Sequence, residues 1–73
     1  MKRYPNRSGN AGIAAYESGP DYIRLQFRDS AEVYTYSYRS AGKANVEKLK
    51  QLAIEGQGLT TFVNRNVRHL FER

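Results

Sequence analysis

The 73-residue chain has no cysteine and a single histidine, His69. Without thiols there is no disulfide framework and no thiolate metal site, and one imidazole cannot make a His/Cys metal cluster. Long hydrophobic runs are also missing. The apolar stretches last only a few residues, which predicts no membrane span and no signal-peptide core and, with no cysteine, a bacterial-type cytoplasmic location. Acidic residues are the third shortage. Seven Asp and Glu face twelve Lys and Arg, for a net charge of +5. A positive potential favours anionic partners, either nucleic acid or an acidic protein surface.

Catalytic signatures are equally sparse. A nucleophilic mechanism needs a Ser or Thr beside His69 and an acid to orient it, and no spacing suggests this. The Gly56-Gln57-Gly58 segment precedes a helix but lacks the Gly-x-x-x-x-Gly-Lys phosphate loop, and a pair of helix-ending glycines explains it as well. The chain is therefore expected not to be an enzyme, and no cofactor or metal is implied.

What is present has to build one small domain with few large side chains. Residues 1–10, MKRYPNRSGN, carry Lys2, Arg3 and Arg7 without apolar periodicity and predict a flexible basic arm, leaving 11–73 as the single domain. Three short strands follow. Gly12–Glu17 is a weak, alanine-rich strand. Ser18–Asp21 is a turn in which Pro20 fixes φ and Gly19 permits positive φ. Tyr22–Arg28 alternates, with Ile23, Leu25 and Phe27 on one face and Tyr22, Arg24, Gln26 and Arg28 on the other. Asp29–Glu32 is short and polar, so Val33–Tyr38 returns antiparallel as a hairpin partner.

In that third strand Tyr34, Tyr36 and Tyr38 fall at alternate positions and so share a face. They could form a platform for stacked bases or one wall of the core. Facing Thr35 and Ser37 inward instead would bury two hydroxyls in need of partners, so Tyr34 and Tyr36 are assigned to the core beside Leu25 and Phe27. Tyr38, at the strand end, is expected half exposed.

Residues 39–44 read as a connection. Asn45–Glu55 carries Val46, Leu49, Leu52 and Ala53 on one helical stripe, with Asn45 as N-cap, Glu47 in the first turn and Gly56 as the C-terminal stop. From Leu59 a second helix puts Phe62, Val63, Val67, Leu70 and Phe71 within half a wheel, capped by Thr60 or Thr61. Arg65 and Arg68 lie together on its polar side. Asn66 falls inside the apolar arc, which suggests a structural amide tied to the Gly-Gln-Gly loop or to a tyrosine hydroxyl. The fold class is α+β: a small antiparallel sheet of three strands followed by two helices packed on one face, in the order βββαα.

Several of these features together resemble the KTSC domain, named for the C-terminal domain of some lysyl-tRNA synthetases. They are Ser8 with the Ile13–Tyr16 strand, Leu25-Gln26-Phe27, the Tyr34-x-Tyr36 pair, a leucine-bearing helix, and GQGLTTFVNRNVR at Gly56–Arg68. The likeness covers about residues 8–71. Many relatives carry a proline after the tyrosine strand where this chain has RSAGKA. The resemblance implies an accessory domain proposed to bind RNA, and none of the synthetase's catalytic chemistry.

Two functional expectations follow. One is a non-catalytic RNA-binding domain using Arg24 and Arg28 on the sheet, Arg65 and Arg68 on the last helix, Lys2, Arg3 and Arg7 of the arm, and exposed rings at Tyr22 or Tyr38. The other is a protein-interaction module, a monomer or weak homodimer, working through an open sheet edge or the basic surface.

Overall fold

A computed structural model describes residues 1–5, 12–28 and 32–72. The structure is α+β, an antiparallel sheet followed by helices. Its strands are β1 (Lys2–Arg3), β2 (Ile13–Ser18), β3 (Tyr22–Phe27) and β4 (Val33–Ser37), paired in sequence order. Helices α1 (Tyr38–Ala41), α2 (Lys43–Glu55) and α3 (Leu59–Phe62) follow, and α3 runs directly into a π-helical turn, Val63–Val67.

The sheet gains a strand over the three expected. Lys2 and Arg3 pair with Tyr16 and Ala15, and the Tyr4 amide donates to Ala14 at 3.0 Å. Tyr4 is buried, 3% exposed. A basic arm was expected over residues 1–10, but its first part is thus a sheet edge, anchored by an aromatic side chain that composition alone does not single out. Arg7 and Ser8, like residues 29–31 between β3 and β4, lie outside the described residues.

β2 owes its fit to a bulge. Its register with β3 shifts between Ile13 and Ala15, so Ala14 is an extra residue. Ile13 sits across from Phe27 and Tyr16 across from Leu25. Three residues apart, these two would point to opposite faces of a regular strand; the inserted residue turns both toward the core.

The tyrosine row faces inward as the alternation predicts. Tyr36 pairs with Ile23 and Tyr34 with Leu25. Tyr36 is buried and Tyr34 half-buried. Tyr38 leaves the row: it opens α1, where Ser37 and Ser40 form a reciprocal capping box. The stretch read as strand end and connection is therefore one turn of helix.

Gly42, with φ 91°, breaks the chain between α1 and α2 without a proline. Asn45 is not the cap. It lies inside α2 and its side-chain amide donates to Ala41 O at 2.8 Å. Glu47 is correspondingly beyond the first turn, which holds no acidic residue. Val46, Leu49 and Ala53 are buried on the sheet, and Gly56, at φ 79°, ends α2 as expected. At the β2–β3 turn Gly19 does not use positive φ. A Cβ there would stand 2.1 Å from the Tyr22 ring, so a larger residue would have to push that ring aside.

The last helix departs most from expectation. Gly58, not a threonine, precedes α3, and Thr60 Oγ1 instead accepts from the Gly12 amide at 3.2 Å. The π turn holds one more residue per turn than an α-helix, so each residue advances through a smaller angle. Leu59, Val63 and Val67 consequently all reach the core, each burial worth about 1.5–3 kcal/mol. The same widening moves Asn66 off the buried strip. It is exposed, and its amide donates to Phe62 O of its own helix at 3.2 Å, not to the glycine loop or a tyrosine. Leu70, expected on the apolar arc, is 40% exposed.

Candidate functional site

The helices cover one face of the sheet only, and the basic residues are divided among three places.

On the open face stands Arg24. Its guanidinium meets Glu17 at 3.3 Å and lies 5.1 Å from the centre of the Tyr22 ring. Glu17 and Arg24 are cross-strand partners, so the pairing is built into the register. Tyr22 is held between Arg24 and the Gly19 backbone. The pair expected to present a charge and a ring to a ligand thus engage each other and a carboxylate. Arg28 follows β3 at the corner of the sheet, exposed, with its amide donating to Gly12 O at 2.7 Å. It shares a polar cavity with Arg3, on the edge strand. Lys2 is exposed opposite Tyr16.

Tyr38 is not a free stacking ring. Its hydroxyl donates to Glu47 Oε2 at 2.5 Å, and Lys50 and Lys43 approach its ring to 5.7 and 6.0 Å. The carboxylate acceptor pushes the Tyr38 pKa up, and the same bond, with Lys50 beside it, pulls the Glu47 carboxyl down. Lys50 also donates to Gly19 O at 2.6 Å, which fastens the β2–β3 turn to α2.

The third place is a cleft of about 550 Å³ between the inner sheet face, α3 with its π turn, and the C-terminal segment. Phe27, Tyr34, Tyr36 and Phe71 make its aromatic wall, and Thr60, Asn64, Arg68 and His69 stand among its polar lining. The rings meet edge to face. Phe27 and Tyr34 are 5.6 Å apart at 89°, and Tyr34 and Phe71 4.9 Å apart at 69°. Tyr34 therefore belongs both to the wall of the core and to the wall of the cleft. Its hydroxyl donates to Glu32 at 2.9 Å, which raises its pKa. Burial pushes the deeper Tyr36 phenol up to about 12.

Arg65 and Arg68, neighbours on an ideal helix, are separated by function of the π turn. Arg68 lines the cleft together with Asn64, four residues back, while Arg65 is exposed outside it. Sequence reasoning missed His69, Thr60 and Phe71 as cleft residues. The one signal in the sequence is spacing: Asn64 and Arg68, four residues apart, fall on the same side of a helix.

The open-edge expectation is also narrowed. The alanine-rich β2 is an inner strand, paired on both sides through Ala15 and Tyr16. At the far edge the Glu72 amide already donates to Thr35 O. Among the described residues no helix is long and apolar enough to cross a membrane. Compared with family models, curated proteins and solved structures, the chain matches none.

Proposed function

We propose that this chain is a non-catalytic RNA-binding accessory domain of the KTSC type, taking single-stranded RNA with an unpaired base in the aromatic cleft and its backbone along Arg68 and Arg65. The observation that carries the proposal is Arg68 and Asn64 at an open cleft walled by Phe27, Tyr34, Tyr36 and Phe71, in a chain of net charge +5. Proteins that read single-stranded RNA combine these elements: a ring wall for the base, an amide for its edge, and cations for the phosphates. The cleft's volume lies within the usual range for small-ligand sites, roughly 300–1,000 Å³.

The test is a fluorescence titration of a labelled single-stranded oligoribonucleotide across salt concentrations. Affinity should be in the micromolar range and fall as salt rises, because bound cations displace condensed counterions. Replacing Arg65 and Arg68 together by Ala should weaken binding while thermal unfolding stays near wild type. Binding no tighter than that of an unrelated domain of equal charge would overturn the proposal in favour of a protein-interaction module.

A further inference from the structure

The second cavity, about 470 Å³, is lined by Arg3, Tyr4, Pro5, Ile13, Ala14 and Arg28. We infer that it is a binding notch for a phosphate group, held by the guanidinium groups of Arg3 and Arg28.

Both arginines rise from fixed backbone. Arg3 is paired in β1 against Ala15, and the Arg28 amide is bonded to Gly12 O at 2.7 Å. Ala14, in the bulge, adds only a methyl group to the lining, beside Tyr4, Pro5 and Ile13.

Charge completes the case. Two cations are paired with carboxylates, Arg24 with Glu17 and Lys50 with Glu47, both at 3.3 Å. Among the described residues no carboxylate lies within ion-pair distance of Arg3 or Arg28. Two guanidinium groups on one concave surface repel each other, and a bound dianion relieves that repulsion while accepting their forked hydrogen bonds.

The notch also has a neighbour. Gly12 and Phe27 line the aromatic cleft, while Ile13 and Arg28, the residues that follow them in the chain, line the notch. A strand with a base in the cleft would lead its adjoining phosphate around this corner. The phosphate site stands on its own geometry, and its assignment to an RNA backbone rests on the proposed function.

Nuclear magnetic resonance titration separates the two. Inorganic phosphate added to the full chain should shift the Arg3 and Arg28 side-chain Nε–Hε resonances and the Ala14 amide saturably. R3Q and R28Q should each lower that affinity about tenfold, the scale of one lost charge-assisted hydrogen bond. Both side chains are exposed, so unfolding temperatures should hold. No saturable shift, or the same shift in R28Q, would overturn the notch. A single-stranded oligoribonucleotide that displaces phosphate identifies RNA as the source. If phosphate binds and the oligoribonucleotide does not displace it, the notch serves a free phosphate compound. If RNA binds the cleft yet the notch variants take phosphate like wild type, the notch fails and the RNA proposal survives.

Discussion

The Glu72 amide donates to the Thr35 carbonyl oxygen at 2.6 Å and so lays the C-terminal segment along the free edge of β4. The Ser37 hydroxyl donates to the Glu72 carboxylate at the same place. One residue earlier, Phe71 meets Tyr34 and Tyr36 with ring centres 4.9 and 6.4 Å away. That bond satisfies one backbone acceptor on the outer edge of β4, a strand that would otherwise present it unpaired.

Phe71→Ala should therefore destabilise the domain by about 1–3 kcal/mol, below the full-burial figure because the ring is half-exposed. Removing residues 70–73 should cost more, since the Thr35 bond goes too. Urea unfolding measures both. Wild-type stability in the truncated chain would show that the segment only rests on the surface.

The tyrosine row should divide sharply on substitution. Tyr36→Ala empties a fully buried site and should cost roughly 3–5 kcal/mol, enough to unfold a domain of this size. Tyr34→Phe removes only an exposed bond to Glu32 and should cost under about 1 kcal/mol. Circular dichroism with thermal melts distinguishes them. A well-folded Tyr36→Ala chain would contradict the core role of that ring.

Alkaline pH supplies a second measure of Tyr36. Its phenol is held at about 12 in the folded chain, against an ordinary value of 10.0, because burial disfavours the phenolate. Below pH 10 both states keep the proton and this group adds no pH dependence. Between pH 10 and 12 the unfolded chain releases it and the folded chain does not, so stability falls as pH rises, by about 1.4 kcal/mol per unit for this group. Tyr36→Phe should show a shallower decline in urea midpoint over that window. Some slope will remain, since Tyr4 is also raised by burial, which the nearby Leu59 backbone amide opposes only in part. Parallel curves for the two proteins would contradict the assignment.

Alternation made the two central strands legible from sequence. Ile23, Leu25, Tyr34 and Tyr36 needed nothing beyond period two, and Gly56 marked the end of α2. What escaped depends on backbone detail that composition does not carry. One inserted residue at Ala14 decides which way Ile13 and Tyr16 point. One widened turn at 63–67 takes Asn66 out of the core and sets Arg68 beside Asn64. Tyr4 sits in a segment whose Pro, Asn and Gly content reads as loose, yet a single buried ring and two strand pairs order its beginning. The cleft was half visible: its aromatic wall was read as core, and its polar side depended on the π turn.

The arginines should not contribute equally to RNA binding, because their surroundings differ. Arg24 is already engaged with Glu17, and that ion pair is exposed, with side-chain accessibilities of 47% and 42%. Such a pair adds little stability, under about 1 kcal/mol, but an anion must compete with the carboxylate for the guanidinium. Arg68 lines the cleft, and no ion pair holds it among the described residues. In the same salt titration Arg68→Gln should lower affinity severalfold and reduce the log–log slope by about 0.7, the value for one phosphate contact on a single strand. Arg24→Gln should alter both far less. Glu17→Gln supplies the converse: releasing Arg24 should strengthen binding if the open sheet face meets the RNA, and leave it unchanged if the cleft side alone does. An Arg24→Gln loss as large as that of Arg68→Gln would move the binding surface from the cleft to the open face of the sheet.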